Sequence, residues 1–136
     1  MSDPVFALQS ALHACLAGDA TLTALLGPGS RIHDRAPRGT PVPYVALGET
    51  RLARIGALGG PIHEHTIIVR VVSRADGRRE VAAIAERIDA LIDTATLEPD
   101  GHRLVALRLV ERAISESRDR QFIEGQLRFR AVTEPL

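Results

Sequence analysis

The sequence predicts an α+β domain in which an antiparallel-dominated mixed sheet carries two helices packed on one face. Three observations predict it. Two segments, one near the start and one mid-chain, place apolar residues at helical spacing, and four others alternate apolar with polar residues. Their order is helix, strands, helix, strands, which segregates helices to one side of an antiparallel sheet and does not interleave them with parallel strands. Finally, 136 residues suit one domain, residues 1–136, with 45% hydrophobic and 25% charged residues in the ordinary globular range. Aromatics make up only 3% and Trp is absent, so the core must be built from Leu, Ile, Val and Ala.

Asp3 and Pro4 open the first helix, Asp3 as a cap and Pro4 at a position that needs no hydrogen bond. Val5, Leu8, Leu12, Cys15 and Leu16 fall on one face of it, which makes Cys15 a small core hydrophobe. Gly18 ends the helix. Asp19 caps a short second turn through Leu22, Leu25 and Leu26, stopped by Gly27-Pro28-Gly29, so the two pieces form one bent helical arm. Arg31-Ile32-His33 reads as a short strand. Ala36 to Pro43 holds three prolines and a glycine and forms an extended connector.

Tyr44 to Glu49 alternates as a strand. Arg51 to Pro61, RLARIGALGGP, is the least regular stretch and reads as a mobile loop or a loose hairpin. Ile62 to Ser73 is the strongest strand, with Ile67, Val69 and Val71 on one face. Asp76-Gly77 turns the chain into a helix from about Arg78 to Asp93. Val81, Ile84, Ala85, Ile88, Leu91 and Ile92 form its stripe, and Arg79, Glu80, Glu86, Arg87 and Asp93 face water. Leu104 to Ile114 returns as a strand with Val105, Leu107 and Leu109 on one side and Arg108 and Arg112 on the other. Arg118-Asp119-Arg120 is a charged bend. Gln126 to Thr133 closes the sheet, with Leu127, Phe129 and Ala131 inward and Arg128 and Arg130 outward.

Charge and composition narrow the function. Basic and acidic residues balance at 17 each, so a large phosphate-gripping surface is not expected. Every basic residue is Arg, which a GC-rich genome explains. A single cysteine rules out an intrachain disulfide. No run approaches the ~20 apolar residues needed to span a bilayer, and no signal peptide is evident.

A search for chemistry finds little. His63 and His65 point the same way along a strand and two imidazoles can share a metal, but four-ligand company is lacking. They read as solvated histidines at a strand end, with His13, His33 and His102 elsewhere. Ser10, Ser30, Ser73 and Ser115 lie in no nucleophile elbow, and Cys15 has no basic neighbour. The glycines of Gly27 to Gly29 and Gly56 to Gly60 match no phosphate-binding pattern. Arg108, Arg112, Arg128 and Arg130 read as a solvated sheet face. No catalytic residue, metal ligand or cofactor-binding residue is assigned.

Several stretches together resemble one family. These are LHACLAGDATLTALLG, RIHDRAPRGTPVPYVALGE, HEHTIIVRVVSRADGRREVAAIAERIDALID, the L-x-x-D-G-H-R-L-V turn and the closing GQLRFRAVTE. In order and spacing they resemble the tail-completion, or tail-terminator, proteins of long-tailed phages and of gene transfer particles derived from them. The resemblance implies a structural subunit without catalysis or cofactor, assembled as a six-membered ring in the neck of a virion or phage-like particle put together in the bacterial cytoplasm. It implies as partners further copies of the chain, the tail tube protein and the head–tail connector or stopper, with only passing contact with DNA and none with membrane. Other readings are another ring or tube component of the same particle, or a small metal- or ligand-binding domain.

A ring built by a closing rotation needs two different complementary patches on each subunit. A stopper must also offer one ring face that imitates incoming tube subunits and another that does not, and flexible segments ordered by contact would suit this. Arg51, Leu52, Arg54, Ile55 and Leu58 are therefore the first candidate interface, for tube or connector contact. Arg118, Asp119, Arg120 and Gln121 are the second.

Overall fold

A computed structural model describes residues 3–56 and 61–136. In chain order they form α1 (Pro4–Ala17), α2 (Ala20–Leu26), β1 (Ile32–His33), β2 (Tyr44–Ile55), β3 (Ile62–Arg74), α3 (Arg78–Thr94), β4 (His102–Glu116) and β5 (Phe122–Pro135). The strands make one five-stranded sheet in the order β1-β2-β3-β5-β4. Only β1 and β2 pair in parallel; the other neighbours are antiparallel. This is the α+β, antiparallel-dominated mixed sheet that the sequence predicts.

The helical arm divides into two helices, so three and not two elements cover the sheet. Asp3 caps α1 by accepting from the Phe6 N–H at 3.1 Å, and Asp19 caps α2 by accepting from the Leu22 N–H at 2.8 Å. Between them the axis turns by 78°. The same Asp19 carboxylate receives Arg87 of α3 in a fork, Nε at 2.9 Å and Nη2 at 2.7 Å. Arg87, expected to face water, thus ties α3 to the start of α2. Among the described residues no single helix is long and apolar enough to cross a membrane.

Leu8, Leu12 and Leu16 of α1, Leu22 and Leu26 of α2 and Val81, Ile84, Ile88 and Ile92 of α3 pack on Val45, Leu47, Ile67, Val69, Val71, Leu127, Phe129 and Ala131. Each large aliphatic so buried contributes about 1.5–3 kcal/mol before ordering entropy is subtracted. The helix comes very close to β5: a Cβ on Gly125 would lie 2.6 Å from Val81 Cγ1. Only glycine lets α3 sit down there.

Several expectations fail for definable reasons. Cys15 is only partly buried, because α1 sits on the sheet through Ala7, Leu8, Leu12 and Leu16. Register shifts on β4 fall between Leu104 and Ala106 and between Leu109 and Glu111. Each shift resets the alternation. Val105 is therefore 53% exposed, away from its expected companions Leu107 and Leu109, which pack on the core. Arg108, opposite Arg130, and Arg112, opposite Leu127, lie on different faces of the sheet and do not share one.

Candidate assembly surface

Directly opposed residues in a sheet share a face, so the register sorts every strand. One face, under the helices, holds Leu47, Val69, Leu127 and Leu109 in neighbouring strands. Among the described residues no helix lies over the other face. There Arg and carboxylate alternate across strands: Arg130 with Glu64 at 2.5 Å, Arg128 with Glu111 at 2.5 Å, Arg70 with Glu124 at 3.5 Å, and Arg103 with Glu134. Sequence reading placed Arg128 and Arg130 outward but left them unpaired. Their partners lie on β3 and β4, and β5 enters between those strands only through a non-sequential strand order.

The first candidate segment is not a loop. After a shift between Leu47 and Thr50, β2 stays in register with β3 through Arg51↔Thr66, Leu52↔His65, Arg54↔His63 and Ile55↔Ile62. The hairpin alternative is the one that holds, and Arg51 to Ile55 are strand residues. Tyr44 to Leu47 alternate between half-buried and buried, whereas Arg51 to Arg54 are all exposed. Gly56, at φ 92°, begins the reversal in the left-handed region that favours glycine. Leu58 lies outside the described residues.

The second candidate segment is a turn closed by its own hydrogen bonds. The Ser117 hydroxyl donates to Asp119 Oδ1 at 2.7 Å, the Gln121 N–H donates to the same oxygen at 3.1 Å, and the Arg120 N–H reaches the Ser117 carbonyl at 3.0 Å. The Ser117 hydrogen bond, then that of Gln121, holds the Asp119 carboxyl below its ordinary value. Arg118, Asp119, Arg120 and Gln121 are all exposed. Arg120 adopts φ 59°.

The two candidates do not come together; they occupy opposite ends of the sheet. Ile55↔Ile62, His63↔Thr133 and His102↔Pro135 mark one end. Tyr44↔Val72, Arg74↔Phe122 and Glu116↔Ile123 mark the other.

The histidines correct the expectation of solvated side chains. His65 is completely buried, with Nε2 2.8 Å from Thr133 Oγ1. Burial, and then the neighbouring His63 and His102, push its pKa down to about 4. His102 is also buried, its Nδ1 2.9 Å from the Asp100 carbonyl oxygen. Strand alternation did carry this signal, since His65 shares a face with Ile67 and Val69. Among the described residues no group of three or more His, Cys, Asp or Glu side chains is placed to hold a metal ion. Burial, and then Asp19, raise the Cys15 thiol above its ordinary pKa, so it is not an activated nucleophile.

The profile of the family described as tail completion protein gp17 matches residues 10–134. The chain belongs to that family. No curated protein matches it. A chain from a solved structure titled "Virion of native gene transfer agent (GTA) particle" superposes with a TM-score of 0.87 at 27% identity, covering 98% of this chain and 99% of that one. Both ends of the sheet and all five strands fall within the family match, save Pro135 at the end of β5. Membership makes the chain a structural component of a phage or phage-like tail, with its place in the virion.

Proposed function

We propose that this tail-completion protein is the terminator subunit. In this reading it forms a six-membered ring on the head-proximal end of the tail tube, stops tube growth and joins the tail to the head connector. The observation that carries the reading is the placement of the two exposed segments at opposite ends of one sheet. A ring whose axis runs along the strands then offers Arg51, Leu52, Arg54 and Ile55 on one rim and Arg118 to Gln121 on the other. One rim can meet the tube while the other meets the connector, and a growing stack needs identical addition to end where the rims differ. The action is by shape and asks nothing of catalysis.

The sheet's open face supports a conduit. Four of its arginines, Arg70, Arg103, Arg128 and Arg130, are matched by carboxylates across strands, which reduces the counterion release to be gained from passing duplex. Electron microscopy of particles made without the chain tests the proposal. Overlong or unjoined tails are the expected result. Normal tails of correct length on heads would overturn it, and so would indefinite tube growth from the purified protein alone.

A further inference from the structure

Among the described residues, β1 pairs with β2 only at Val45 and Ala46. The outer edge of β2 from Leu47 to Ile55 is therefore open, a run of nine residues and about 30 Å. On the far side of the sheet, β4 pairs with β5 alone, so its outer edge is open along His102 to Glu116. We propose that these two edges are partners. Resting on the ring reading above, β2 of one subunit pairs with β4 of the next, making one continuous sheet around the ring.

Four observations carry this. The edges are different from one another, as a head-to-tail closed ring requires. Their polarity is right: β2, β3, β5 and β4 alternate in direction. A copy rotated about an axis parallel to the strands keeps its directions and so lays β4 antiparallel to the neighbouring β2. Both edges show apolar side chains to solvent, Leu52 at 40% on one and Val105 and Val110 at 53% and 54% on the other. Finally, the register shifts lie in pairings made by the outer strands, between β2 and β3 and between β5 and β4, whereas β3 and β5 pair without one. Bulges bend a strand and increase its twist, which curls a sheet at its rims as closure demands. The straight run Glu111 to Glu116 is the stretch of β4 best able to pair.

Paired cysteines test it. Ala53 of β2 and Ala106 and Ala113 of β4 are exposed and lie on the open face, opposite Glu64, Val132 and Gln126. In a Cys15→Ala background, Ala53→Cys is combined with Ala106→Cys or with Ala113→Cys. Particles from cells making each variant are treated with a short bis-maleimide and run under denaturing conditions. A ladder of covalent oligomers ending at one closed size, from a double variant and from no single one, is expected. Variants that enter particles yet stay uncrosslinked in both combinations overturn the edge pairing and leave the ring reading standing. Dimers from Ala113→Cys alone overturn it in favour of a two-fold β4–β4 contact. Normal joined particles that lack the chain overturn the ring reading itself, and the edge pairing with it. Amide exchange on the unsubstituted protein gives an independent readout. Residues 47–55 should be slower to exchange in particles than in the free chain, and equal rates count against the pairing.

Discussion

The two halves of β2 lie on the same strand and pair with the same neighbour, yet they do different work. From Tyr44 to Leu47 the strand alternates, and Val45 and Leu47 are buried under the helices. From Arg51 to Arg54 the backbone pairing with β3 continues but no side chain is buried. The first half contributes to folding through apolar burial; the second is held out by hydrogen bonds and leaves its side chains for other surfaces. Backbone order and side-chain burial are thus separable within one strand, and only burial is legible as an apolar pattern.

Substitutions should sharpen that division. The largest effect belongs to the covered half of the sheet: Phe129→Ala should cost about 3–5 kcal/mol, read as a fall in the urea midpoint at unchanged slope. A fall of under ~1 kcal/mol would mean that the centre of the sheet is not where stability resides. Next comes acid. His65 titrates near 4 in the folded chain and near 6.5 when unfolded, so the unfolded chain binds the proton first. The His65 contribution is therefore complete above about pH 6.5 and declines as pH falls toward 4, by something on the order of 3 kcal/mol. Urea midpoints measured across that window should fall more steeply for the native chain than for His65→Gln; parallel curves would remove His65 from the account.

Gly125→Ala should follow at about 1–3 kcal/mol, since Val81 is β-branched and has little freedom to move aside. Thermal unfolding of this variant beside Val81→Ala/Gly125→Ala would show whether the contact is the cause: the double variant should recover part of the loss. The smallest effect on folding belongs to the exposed half of β2. Arg51→Ala, Leu52→Ala and Arg54→Ala should each change stability by under ~0.5 kcal/mol. If this rim carries a contact, the triple variant should nonetheless weaken assembly by roughly 30-fold or more, as truncating a contact centre does. Counting joined particles by microscopy checks it, and full assembly would leave this rim without a role.

Much of the fold was legible because burial imposes periodicity. Ile67, Val69 and Val71 on β3 and the Val81 to Ile92 stripe on α3 were readable from spacing alone, as were the caps at Asp3 and Asp19. What was not legible depended on partners distant in sequence. The Arg130–Glu64 pair spans 66 residues and needs β5 seated beside β3. Nothing local marks the shifts that place Val105 and Arg112. The candidate surface was half legible. Arg51 to Ile55 stood out by lacking a folding pattern, which left a loop and a hairpin both open; only the pairing with β3 decides for the hairpin. The turn at Arg118 to Gln121 was recognisable from charge, whereas the hydrogen bonds that stiffen it depend on Ser117.

The position of β5 has a consequence for synthesis. It is made after the other four strands, yet it sits between β3 and β4. Until it emerges from the ribosome, β4 has no strand to pair with and the inner flank of β3 is bare. A truncated or stalled chain would therefore lack a seated β4, and with it one of the two edges of the proposed pairing.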